Sequence, residues 1–423
     1  MKSFRRFSLV TVLCLVVGVA SAPKGSGAPV KQSKTRTIGL VLSGGGSFGA
    51  WETGALKALF DWWEKKYGQP PPIRIVAGTS TGALIAPFAL LGRTPGAHDY
   101  LKDVMDLYTQ FGPACIAPIG PSCLVSYSGS LLTSSAAVFM LNQNLEPSAY
   151  VAGYPSLLFG AKLLWQHLNE SIPDALLAKI AAQWPNGRIG ASSIDFYTGQ
   201  PWKVTNSPQD TASDGIDLRL GILASAMAPL ALPPAPVCSN NGTPCAGKAD
   251  PADPFFDGGV FEEVPVKLLF DLASTQPKIE LTDVIVVSSF PWFPSCDEGP
   301  EAARFPRVSG FGQVGNRMNA VMSEANATKA AQLASTAVQL RKLGVSQAEV
   351  FASTGYDISG TPTLSALFPL ERQGWEAFEF DKGPAGKMAK MQQRGIDEAT
   401  AELAGKNPPS PCGGALSPIP PPK

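Results

Sequence analysis

The sequence predicts an α/β chain with a three-layer α/β/α fold around a mostly parallel central sheet. Three observations carry that expectation. The runs 37–42, 73–77 and 282–288 read as buried strands, with apolar residues in succession at 40–42, 75–77 and 284–287 rather than alternating, as strands covered on both faces have. Helix-like segments follow the first two runs, so the order is strand, helix, strand, helix. The second strand ends in Gly78-Thr79-Ser80-Thr81-Gly82, a G-x-S-x-G at a strand-to-helix turn. The chain has 423 residues, enough for one elaborated domain or several.

The elements follow in order. Lys2, Arg5 and Arg6 precede an apolar run at 9–20 and the small residues Gly18, Ala20, Ser21 and Ala22. Residues 1–22 therefore read as a secretory signal, cleaved after Ala20 or Ala22. The run is short for a membrane span. Export to the periplasm or medium is the expectation, with anchoring through this segment as the alternative. Cys14 would leave with the signal. Cys115, Cys123, Cys238, Cys245, Cys296 and Cys412 remain, an even number that fits disulfides in an exported protein. Spacing pairs Cys115 with Cys123 and Cys238 with Cys245, which leaves Cys296 with Cys412; reduced buried thiols are the alternative.

Residues 23–36 form a Pro/Gly/Ser/Lys linker. A glycine loop at 44–49 leads into a helix at 50–67, with Leu56, Leu59, Phe60 and Trp63 on one stripe. Residues 97–182 are mostly helical, broken near 112–130 and 143–155, and form a candidate lid or substrate-binding insertion. Its Phe111, Leu131, Leu132, Phe139, Leu157, Leu158 and Phe159 either line an acyl-chain groove or fill the core. Residues 186–204 read as a hairpin turning at 198–201, and 218–227 as a short helix. The stretch 229–254, rich in Pro, Gly and Asn, reads as loop. Helices are expected at 312–343 and 385–405, and 408–423 is a Pro/Gly tail. The organisation is thus a catalytic domain at 37–290, a helical C-terminal part of the same domain at 291–407, and the tail.

Lysine plus arginine and aspartate plus glutamate number 34 each, so no net field points to nucleic acid. No Cys-x-x-Cys and no clustered His/Asp/Glu pattern demands a metal, and no cofactor is expected. Gly44-Gly45-Gly46-Ser47-Phe48-Gly49 also satisfies G-x-G-x-x-G, but no acidic residue ends the next strand, as dinucleotide binding requires. A P-loop is excluded because no Gly-Lys-Ser/Thr follows. The loop reads instead as an oxyanion hole, in which the amides of Gly44, Gly45 and Gly46, with that of Thr81, meet a developing negative charge.

A serine nucleophile needs a base. The chain holds only His98 and His167, and no histidine occurs after residue 167, towards the C-terminus, where an α/β-hydrolase would carry one after its acid. The alternative is a carboxylate. Phe255-Phe256-Asp257-Gly258-Gly259 sets one aspartate among apolar neighbours, which raise its proton affinity towards a useful range. Ser80 as nucleophile and Asp257 as base is the resulting assignment.

Three blocks in this order, Gly44-Gly45-Gly46-Ser47-Phe48-Gly49, Gly78-Thr79-Ser80-Thr81-Gly82 and Asp257-Gly258-Gly259, resemble the patatin-like phospholipase family. The run 223–229 resembles the small-residue helix before that family's Asp block. The likeness spans roughly 37–290. It implies a Ser–Asp dyad that hydrolyses fatty-acyl esters of lipids, working at a transient membrane or micelle surface. By the resemblance Gly49, Gly78, Gly82, Gly258 and Gly259 are motif glycines. Two departures stand out: Phe48 takes the place of a common basic residue, and Glu262-Glu263 stand where asparagine is frequent. An esterase or lipase on neutral or short-chain esters is the alternative, and a storage-type protein on the same fold a more distant one.

Overall fold

The computed structural model describes residues 36–93, 98–110, 168–195, 197–208, 218–228, 235–237, 253–289, 326, 329–330, 332–369 and 386–405. The N-terminal segment, all seven cysteines, His167, the interior of the helical insertion and the C-terminal tail lie outside the described residues.

Eight strands form one sheet. They are β1 (Ile38–Leu42), β2 (Ile73–Thr79), β3 (Arg188–Asp195), β4 (Pro201–Thr205), β5 (Ala235–Val237), β6 (Asp253–Asp257), β7 (Asp283–Val287) and β8 (Thr363–Leu367). The order is β5-β6-β3-β2-β1-β7-β8, with β4 on the other edge of β3. The run from β3 through β2, β1 and β7 to β8 is parallel, whereas β4, β5 and β6 pair antiparallel.

Side chains alternate across the sheet into two apolar layers. Ile38, Leu40 and Leu42 of β1, Val76 of β2 and Ile285 and Val287 of β7 face one layer. It is closed by α1 (Gly49–Tyr67), α2 (Thr81–Leu91), α3 (Tyr100–Gln110), α4 (Asp174–Ala181), α5 (Leu218–Ser225) and the C-terminal helix. Val41, Ile75, Ala77, Val284 and Val286 face the other, covered by α6 (Val266–Ser274), a helical stretch through 332–342 and α7 (Gln347–Thr354). Helices on both faces explain the continuously apolar strands, and the three-layer expectation holds.

The C-terminal helix, α8 (Lys387–Leu403), lies against α1 at a crossing of two glycines. A Cβ on Gly54 would strike the Gln392 backbone, and one on Gly395 would strike the Trp51 carbonyl. Trp51 Nε1 of α1 donates to Glu398 Oε2 at 2.8 Å across this crossing, and Gln392 Nε2 of α8 donates to the Met105 carbonyl of α3 at 2.7 Å.

Two expectations are corrected. Residues 229–254 are not wholly loop, since β5 and the start of β6 fall inside them. Pro236 and Pro254 stand opposite one another in the ladder, so their missing donors coincide on the outer pair of strands. The C-terminal part is not purely helical, since β8 pairs with β7 from Asp283↔Thr363 to Val287↔Leu367.

Candidate active site

The strand register brings Ser80 and Asp257 together. Thr79 stands opposite Ser192 of β3, and Asp257 stands opposite Ser193. Strand β4 occupies one edge of β3 from Gly190 to Ile194, so β2 and β6 must share the other edge. Strand β6 therefore begins its pairing where β2 stops and the chain turns off into Ser80. The Ser80 side chain lies near the Asp257 carboxylate and favours its charged form, and the Gly259 amide donates to Asp257 Oδ1 at 2.8 Å. Asp257 is 7% exposed. Burial pushes its carboxyl up to about 6, against the opposing pull of the Ser80 side chain and the Gly259 amide.

Ser80 caps α2 with φ 54° and ψ −121°, the one non-glycine residue at positive φ among those described. The glycines on either side are required by close approach. A Cβ on Gly78 would collide with the Gly82 backbone, and one on Gly82 with the Leu42 and Ser43 carbonyls. The elbow is thereby pressed against the end of β1, where the glycine loop starts.

That loop forms a 3-10 turn over Gly46–Phe48, with Gly45 and Gly46 at φ 152° and 56°. Of the four expected oxyanion donors, Gly44 needs correction. Its amide donates to the Glu263 carbonyl at 3.0 Å and is not free, because the chain at Gly44 is still bonded to the neighbouring segment. Among the described residues the amides of Gly45, Gly46 and Thr81 donate to no protein acceptor. Gly49 packs against the Thr81 hydroxyl, which ties the loop to the head of α2. Gly258 packs against the Ser192 carbonyl.

Several residues at the site were missed in the sequence. Glu52 is fully buried in α1, and its Oε1 accepts from Ser43 N at 3.0 Å and Ser43 Oγ at 2.7 Å. Burial pushes its carboxyl well above the ordinary range, with the nearby Glu263 adding to the rise. Ser289 Oγ donates to the Gly44 carbonyl at 2.6 Å. The Glu263 carboxylate lies where a Cβ on Gly44 or on Gly259 would go, between the two glycine motifs. Ser225 accepts from the Ser80 amide. A polar residue in an otherwise apolar helix face was the available signal for Glu52 and Ser225. His98 pairs with Asp103 at 2.6 Å on the surface. Among the described residues no group of three or more His, Cys, Asp and Glu could hold a metal ion. None of the described helices is long and apolar enough to cross a membrane.

The family model for patatin-like phospholipases matches residues 40–270, more than half of the chain. The chain belongs to the patatin-like phospholipase family. The patatin-like match takes in the glycine loop, the serine elbow and the Asp-Gly-Gly block, and it ends before β7 and β8. No curated protein matches the sequence. Solved structures similar to it include VipD from Legionella pneumophila, at 13% identity and a TM-score of 0.35, covering 88% of this chain and 67% of that one. Human GIVD cytosolic phospholipase A2 follows at 12% and 0.34, covering 67% and 51%. The type III effector ExoU of Pseudomonas aeruginosa stands at 14% and 0.29, covering 87% and 53%. The chain spans about half the length of the last two. Patatin-like membership supports a lipid hydrolase.

Proposed function

We propose that this protein is a lipid acyl hydrolase with Ser80 as nucleophile and Asp257 as its base. The observation that carries the reading is the strand register that brings these two residues together at the end of β2, where Ser80 helps to hold down the pKa of a buried Asp257. The Asp257 carboxylate takes the Ser80 hydroxyl proton as Oγ attacks the ester carbonyl carbon. The carbonyl oxygen becomes an oxyanion and is met by the amides of Gly45, Gly46 and Thr81. Removing one such donor typically costs about 10²–10³ in rate. Asp257 then returns the proton to the departing alkoxide, which leaves as an alcohol, and the acyl group stays bonded to Ser80 Oγ. A water gives its proton to Asp257, attacks the acyl carbon, and the fatty acid leaves as Ser80 regains its proton.

One observation favours neutral esters over phospholipids. Phe48 is 7% exposed and packs in the core, where relatives commonly carry a basic residue. No cation at that position is available to meet an anionic head group. Mass spectrometry of the products released from mixed phospholipids and neutral glycerides separates the two. Free fatty acid from either class, lost in Ser80→Ala, supports an acyl hydrolase, and the class consumed faster names the substrate. Release of no fatty acid by the native chain contradicts the reading.

A further inference from the structure

The C-terminal exit of α5 touches both reactive residues through their backbones. The Ser80 amide donates to Ser225 Oγ at 2.8 Å, and Ser225 Oγ donates onward to the Ser192 carbonyl at 2.5 Å. Two residues later the Met227 carbonyl accepts from the Asp257 amide at 3.0 Å. Ser192 is itself the β3 residue opposite Thr79, so the relay closes a ring from β2 through α5 to β3. Ser225 is 0% exposed, and its one hydroxyl is used as acceptor and as donor at once.

We infer that Ser225 is a positioning residue for the nucleophile. This rests on the proposal that Ser80 attacks the ester. A non-glycine residue at φ 54° and ψ −121° persists only where its surroundings over-determine it. The flanking glycines permit the elbow by giving room, but they hold nothing. Ser225 supplies the hold, because the peptide between Thr79 and Ser80 can rotate away only by abandoning its acceptor in a buried site. That peptide's orientation sets where Ser80 Oγ points. The Met227 carbonyl fixes the Asp257 peptide from the same helix end, so one segment sets the backbones of both reactive residues. Placement errors of about 1 Å cost a reaction of this kind about 10²-fold.

The test is the rate of inactivation by a fluorophosphonate, followed by intact mass, in the full chain and in Ser225→Ala. Ser225→Ala removes acceptor and donor but keeps both reactive side chains, Ser80 and Asp257, in the chain. The expected result is labelling to one equivalent per chain at a rate about 10²-fold lower. The kcat for a p-nitrophenyl ester falls alike and KM stays unchanged. Full stoichiometry at a reduced rate separates misplacement from a mere loss of folded protein, which would lower the stoichiometry and leave the rate alone. Labelling of Ser225→Ala at the native rate overturns the inference. If that variant does not fold, Ser225→Cys decides, since sulfur is a weak acceptor of similar size: a slowed rate supports the relay and a native rate overturns it. A native chain that takes up no label overturns the Ser80 assignment, and this inference with it.

Discussion

A carboxyl that is 7% exposed, faced by one hydroxyl and one amide, keeps its proton up to about pH 6. The proposed chemistry needs that proton gone. Below about pH 6 Asp257 cannot accept from Ser80, and kcat/KM should fall about tenfold per pH unit. Above about pH 6 it should level off. The same shift bears on stability with the opposite sense. A folded-state pKa raised above the unfolded 3.8 means the folded chain binds the proton more tightly. The contribution of this group is then fully present below about pH 4 and lost as pH rises through about 6, a loss of about 3 kcal/mol. Asp257→Asn keeps an acceptor for the Gly259 amide and offers a donor to Ser80. It should be inactive at every pH, match the native chain in thermal denaturation near pH 4, and melt higher than it at pH 8. Equal melting at pH 8 would contradict the buried, proton-holding aspartate. At this scale Ser80 was legible because its signal is local: five residues between a strand and a helix. Asp257 was legible as a motif among aromatic residues. Ser225, Glu52 and Glu263 were not, because each is a common residue type whose role comes from a contact far away in sequence.

Between elements, the approach of α1 and α8 depends on missing side chains. A Cβ on Gly395 would meet the Trp51 carbonyl and, at 3.1 Å, the Ala55 amide nitrogen, both backbone atoms that no rotamer change can move. Gly395→Ala must push the helices apart. Overpacking of this kind costs about 1–3 kcal/mol, set against about 1 kcal/mol gained from alanine's helix propensity. A lower Tm is the expected outcome, whereas a raised Tm would show that the helices are not in contact there. The strands β1, β2 and β7 were legible from their apolar runs, β3 and β4 from the hairpin pattern of 186–204, and α1 from its stripe. Strand β5 was hidden by the prolines around it, because propensity cannot see that Pro236 pairs with Pro254 on an outer strand. Strand β8, Thr363–Leu367, was hidden by its short length and its Thr and Ser.

The whole molecule extends past its family match. The patatin-like match ends at residue 270, yet β7 lies beside β1 in the middle of the sheet, and β8 extends that side. One apolar layer needs Ala334, Ala337, Val338, Val350 and Tyr356 to close it, and the other needs Met388, Met391 and Leu403. The elements after residue 290 therefore complete both cores. A chain cut after residue 290 should lack a cooperative thermal transition by circular dichroism; a sharp transition in that piece would show that the later elements are dispensable. The central claim concerns one hydroxyl made reactive by one carboxylate. Peptide mapping of the fluorophosphonate adduct by tandem mass spectrometry, in the native chain and in Asp257→Asn, tests it most directly. The account predicts label on Ser80 in the native chain and little or none in the variant over the same time. Label on another residue, or equal labelling of Ser80 in both, would contradict it.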